Sequence, residues 1–181
     1  MRLPEIYLAI DNCFASKRWT KPLEWMEVIK DLGVWFVEAS ADNECDPLYT
    51  SIEYLEDWTD EVNKCTSKTG VEVSSLYSGH GTYATLGLAH TDIRIREKFL
   101  NEWLKKMVDT CVKVDAGLGF FCHAFPVSVL MDPKAYESYE RDLYNKLAEL
   151  SKYASGKGLK FISLEQMYSP HQIPWTIKGA E

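Results

Sequence analysis

No stretch of this sequence approaches the ~20 consecutive apolar residues that a membrane-spanning helix needs. The N-terminus, MRLPEIYLAI, reaches an acidic residue too early for a secretory leader. Neither G-x-G-x-x-G nor G-x-x-x-x-G-K-[ST] occurs. The turn after the first apolar run is Asp11-Asn12-Cys13-Phe14, which lacks the glycines that cradle nucleotide phosphates. C-x-x-C is missing as well. Five cysteines, an odd number, lie scattered at 13, 45, 65, 111 and 122, which points to reduced thiols, mostly buried, in a cytoplasmic protein. Positive charge is scarce: 20 Lys and Arg against 27 Asp and Glu give a formal net charge of -7. Among the strand-to-helix loops only Lys17-Arg18 forms a basic pair, so neither nucleic acid nor a membrane is expected as partner.

What is present is a core. With 46% apolar residues in 181, the chain suits one domain, 1–181, that buries roughly two thirds of its unfolded surface. Short apolar runs alternate with amphipathic stretches. Glu5 to Asn12 reads as a strand, Pro22 to Leu32 as a helix ended by Gly33, and Val34 to Ser40 as a second strand. A helix from Ile52 to Lys68 stops before Gly70, and Val71 to Tyr77 is a third strand. After the Gly- and His-bearing loop Ser78–His90 comes a helix from Thr91 to Val114. Its stripe Ile95, Phe99, Trp103, Met107, Cys111 should face the core. Leu118 to His123 is a fourth strand. Asp132-Pro133 starts a helix running to Ser155, and Lys160 to Glu165 is a fifth strand. Regular βα alternation calls for a parallel sheet with right-handed crossovers. An open doubly wound sheet and part of a closed (β/α)8 barrel both satisfy it.

Reactive groups in such folds collect at the C-terminal ends of the strands. Each of the five strands offers one there: Asp11, Glu38, His80, His123 and Glu165. Period-two alternation groups Glu38 with Val34 and Phe36, and Glu165 with Phe161 and Ser163, on the face that lies inside if the sheet curls. His80, His123 and Glu165 form a reasonable divalent-metal set, since imidazole and carboxylate suit zinc, manganese or cobalt. His90 precedes a helix and reads as structural, whereas His171 lies in the aromatic, Pro-rich loop YSPHQIPW. Tyr77, Phe121, Trp175 and Trp19 are candidate pocket walls.

Three motifs carry a family resemblance: SGHGTYATLG after the third strand, GFFCHAFP on the fourth and FISLEQMYSP on the fifth. The chain resembles the xylose-isomerase-like (β/α)8 TIM barrels, a superfamily of sugar and sugar-phosphate isomerases and epimerases that also includes the type IV apurinic endonucleases. The resemblance spans all five βα units. It implies that Glu165 is the first of four metal ligands, the others coming from strands six to eight, and that it moves a proton at the carbon next to a carbonyl. A Mn2+, Mg2+ or Co2+ ion would serve as Lewis acid. Glu38, His80, His123 and His171 would meet the sugar, with His171 or Lys178 near a phosphate. In the endonuclease branch the positions of His80, His123 and Glu165 bind zinc, which implies an alternative, a zinc-dependent phosphodiesterase. A complete barrel needs about 250 residues, so the chain is expected to hold the first five βα units and to need more for catalysis. A third reading is a non-catalytic partial barrel whose open edges pair with another copy, giving a homo-oligomer.

Overall fold

The computed structural model describes residues 5–166 and 170–180. Five strands, β1 (Ala9–Asp11), β2 (Phe36–Ser40), β3 (Glu72–Tyr77), β4 (Gly117–Phe120) and β5 (Ile162–Leu164), form one sheet in the order β1-β2-β3-β4-β5, every pair parallel. That order decides between the two architectures left open by the sequence. Sequential parallel strands with right-handed crossovers put every connecting helix on one side, so the sheet curls about its other face. A doubly wound sheet reverses its order and carries helices on both sides. The molecule is therefore a five-stranded part of a TIM barrel, with β1 and β5 as the edges of the sheet among the described residues.

Four long helices cover the outer face. The first, α1 (Pro22–Asp31), begins on Pro22, and Glu24 reaches back to accept from the Lys21 amide. The Ser51 hydroxyl caps α2 (Ile52–Thr69), which Gly70 ends in the left-handed region at φ 79°. The third, α3, runs through Ile93–Lys98, a wider π-helical turn Phe99–Leu104, and Lys105–Lys113. The expected stripe does face the core: Phe99, Trp103, Met107 and Cys111 are buried, and Ile95 packs beside them. Asp132 accepts from the amides of Lys134 and Ala135 to start α4 (Pro133–Lys157), two residues longer than the sequence reading. The first strand is shorter than expected, because only Ala9–Asp11 has a neighbour to pair with. Four of the five cysteines are buried and Cys13 is exposed.

The sheet has two unlike faces. Val37, Ala39, Val73, Leu76, Leu118 and Phe120 point outward and are buried under the helices. A bulge at Ser74, whose hydroxyl donates to the Val37 carbonyl, shifts the register so that Glu38 pairs with Ser75 and Ser40 with Tyr77. This extra residue keeps Val73 and Leu76 both outward while turning Ser75 and Tyr77 inward.

Candidate active site on the inner face

The inner face is layered. At its base Phe161 lies over Gly117, close enough that a Cβ on Gly117 would sit 2.3 Å from the Phe161 ring. At the start of β2, Tyr7 and Phe36 form a tilted ring pair with centroids 5.0 Å apart. One step up, the residues become polar. Glu38 accepts a 2.9 Å hydrogen bond from the Ser75 hydroxyl and leans across β3 until its Oε1 lies 3.7 Å from where a Gly119 Cβ would be. The Ser163 hydroxyl flanks the same point at 3.3 Å and the Tyr77 ring at 3.2 Å. Glu38 reaches that far because Ser75 and Gly119 are small. Above this layer Glu165, its amide bonded to the Phe120 carbonyl, presents an exposed carboxylate at the end of β5. The Tyr77 hydroxyl donates to that carboxylate, and burial together with this bond holds the phenol well above its ordinary pKa.

The strand-end loops are pinned to one another. Asn12, 3% exposed, accepts from the Ser40 amide at 2.7 Å, which ties the end of β1 to the end of β2. Asp11 accepts from the Cys13 amide. The Ser78 hydroxyl bonds Asp42 at 2.7 Å and Asp46 at 3.2 Å, while Thr82 donates to the Phe121 carbonyl. Gly79 lets the Tyr83 and Phe121 rings close over the loop, their centroids 5.2 Å apart. These anchors hold the helical turn His80–Ala84 at the mouth. Its first residue is thereby placed, and the side chain of His80 lies outside the described residues, as do residues 167–169 of the FISLEQMYSP motif and Glu181.

His123 follows β4 and is half buried. Its Nδ1 is buried without a hydrogen-bond partner among the described residues. A buried imidazole nitrogen with no protein partner among the described residues and an exposed carboxylate are the donor types a divalent cation takes, so His123 and Glu165 fit such an ion in kind. No group of three or more His, Cys, Asp or Glu able to hold a metal occurs among the described residues. His171 stands apart from this set, at φ 64° in the loop beyond β5, with its ring 5.4 Å from that of Trp175. His90 is structural: Nδ1 accepts from the Asp92 amide and its carbonyl accepts from Arg96. Of the candidate walls, Phe121 is buried against Gly79, Trp19 packs on Phe14, Trp175 is exposed, and Tyr77 alone faces the polar layer. Ser75 and Gly119 were not singled out from sequence, and Ser163 was placed only on the inward face of the fifth strand. The signal was there in the alternation of small residues along β4 and β5, but it acquires meaning only beside Glu38.

No curated protein matches this sequence. Among solved structures, a Rhodospirillum rubrum protein described as a xylose isomerase is 22% identical, with a TM-score of 0.83 over 94% of this chain and 57% of its own. D-psicose 3-epimerase from Clostridium cellulolyticum is 17% identical, with a TM-score of 0.62 over 86% of this chain and 51% of its own. The 3-keto-D-glucoside 4-epimerase of E. coli is 16% identical, with a TM-score of 0.66 over 93% and 58%. The chain thus spans between 51% and 58% of the length of these structures. Residues 26–177 match the model of one family, and with the strand order and the layered inner face this places the chain in the xylose isomerase-like TIM barrel family.

Proposed function

We propose that this chain carries the sugar-binding half of a metal-dependent sugar or sugar-phosphate isomerase or epimerase, acting by proton transfer at the carbon next to a carbonyl. The observation that carries the reading is the layering of the inner face: an aromatic floor, a polar ring above it, and Glu165 with its Tyr77 partner at the top. Polyhydroxylated ligands need such a ring of donors and acceptors over an apolar base. The similarity to epimerases lends support, although a fold alone assigns no chemistry.

Each residue has a part in this reading. Tyr77 fixes the Glu165 carboxylate through its hydroxyl, so that one oxygen remains free to take a proton from the substrate carbon. Glu38, held by Ser75, accepts from a substrate hydroxyl. Phe161 and the Tyr7–Phe36 pair supply apolar surface beneath it. Glu165, with His123, would hold a divalent ion, Mn2+, Mg2+ or Co2+, and a bound ion would supply Lewis-acid stabilisation of the charge that develops on the substrate oxygens. His80 and His171 are assigned to substrate hydroxyls or a phosphate by resemblance.

The competing zinc phosphodiesterase draws on the unpartnered Nδ1 of His123. Two assays separate them. With Mn2+ and a ketose in D2O, deuterium should enter at the carbon beside the carbonyl, and Glu165→Gln should abolish its entry. Zinc-dependent cleavage of an abasic-site oligonucleotide without any such exchange would overturn the isomerase reading. In calorimetry, the Glu165→Ala change should remove Mn2+ binding.

A further inference from the structure

We propose that the cleft between α2 and α3, on the outer side of the sheet, binds a monocarboxylate with an unbranched alkyl chain, its carboxylate at Lys106 and its chain over Leu55 and Val112. The inference is independent of the sugar reading, because every wall of the cleft comes from a helix: the first turn of α2, the last turns of α3 and Lys157 at the end of α4. Residues three and four apart share a helix face. Lys106, Asp109, Thr110 and Lys113 of α3 have that spacing, as do Ile52, Leu55 and Glu56 of α2. The enclosed volume is about 390 Å³, within the ~300–1,000 Å³ of small-ligand sites.

Charge decides the class of ligand. Both acids of the cleft are already engaged. Glu56 meets Lys113 at 3.0 Å, and Asp109 meets Lys157 at 2.9 Å while also accepting from the Tyr153 hydroxyl. A cationic ligand would have to displace a lysine to reach either carboxylate. Lys106 is half buried in the wall and has no ion-pair partner among the described residues. The unmet charge of the cleft is thus positive, in a chain whose formal net charge is -7. Little else in the lining is polar and free. The Thr110 hydroxyl donates to the Lys106 carbonyl at 3.0 Å. Leu55 is buried, Val112 half buried and Ile52 exposed at the rim. The lysine stems add methylene surface to these walls. One anionic head on an apolar body satisfies this arrangement, and a ligand rich in hydroxyls does not.

The probe is octanoate, titrated into the 181-residue chain below its micelle-forming concentration and followed by amide chemical shifts. Shifts should gather at Leu55, Lys106 and Val112. Affinity should rise about tenfold from hexanoate to octanoate, because two more methylenes leave water. Lys106→Met should weaken octanoate about fivefold, whereas Lys134→Met, at the exposed start of α4, should leave it unchanged. Glu56→Gln releases Lys113 and should tighten octanoate about threefold, a gain that a merely apolar surface would not show. Should Lys106→Met lose its native spectrum, Glu56→Gln carries the test alone. Octyltrimethylammonium, equal in chain and opposite in charge, should leave these amides unmoved. Equal responses to the two amphiphiles, shifts confined to the inner face at Tyr7, Phe36 and Phe161, or an affinity indifferent to both substitutions overturns the inference. The absence of any octanoate shift does the same.

Discussion

Phe161 rests on bare backbone at Gly117, and this contact closes the base of the inner face. Gly117→Ala should cost about 1–3 kcal/mol by overpacking, read as a lower urea midpoint. In a Phe161→Ala background the same change should be close to neutral, because the ring that meets the new methyl is gone; a full cost in both backgrounds would place the conflict elsewhere. Cys13 gives a second residue-scale expectation. It is the exposed thiol, yet burial of its sulfur and the neighbouring Asp11 push its pKa up to about 11. At pH 8 about one molecule in a thousand then carries the thiolate that reacts. Native protein should take up iodoacetamide slowly, at one site, with a rate that climbs tenfold per pH unit toward pH 11. Unfolded protein should label all five cysteines at an ordinary rate.

Helices α3 and α4 are clasped by charge as well as by packing. Lys146, 6% exposed, meets Glu97 and lies 3.6 Å from Asp142, which also takes Arg96 at 2.7 Å. Arg96 in turn holds the carbonyls of His90 and Thr91 and lies over the Tyr139 ring, so the clasp braces the loop that follows β3. The Lys146 ammonium holds the Glu97 carboxyl below its ordinary 4.5. A carboxylate with a depressed folded pKa contributes stability above its unfolded value and loses it as pH falls through the folded one. The wild type should therefore lose stability below pH 4.5 more steeply than Lys146→Met, in urea titrations at neutral and acid pH. Equal slopes would mean that exposed Glu97 is too well solvated for the pair to count.

For the whole molecule the open inner face and the two sheet edges matter most. Ile6, Tyr7 and Leu8 are 90%, 61% and 72% exposed next to β1, and Phe161 is 47% exposed beside β5. Unpaired strands flanked by apolar side chains associate with whatever strand they meet. We expect the 20.8 kDa chain to elute above monomer mass in a concentration-dependent way. A Lys at position 8 should shift it toward monomer, since a charge on an edge opposes pairing. A monodisperse monomer at high concentration would remove the self-association reading.

Legibility in the sequence followed the range of the forces involved. Helix starts at Pro22, Ile52 and Asp132, the core stripe of α3 and the inward turn of Glu38 were all readable, because capping and periodicity act over a few residues. The motifs around His80, His123 and Glu165 carried the family resemblance on identity alone. Strand order was not readable, since alternation fits both an open sheet and a barrel until the crossovers choose a side. Nor was the bulge at Ser74, which exists because Val73 and Leu76 both find buried places outside while Ser75 must face Glu38. The meeting of side chains at Gly119 is the plainest case. Glu38, Gly119 and Ser163 come from three strands, and only register and curvature bring them to one point. Sequence by itself determined which elements form and which residue types stand at the strand ends. The tertiary structure decided what those residues face, because a strand says which way a side chain points and only its neighbours say what it meets.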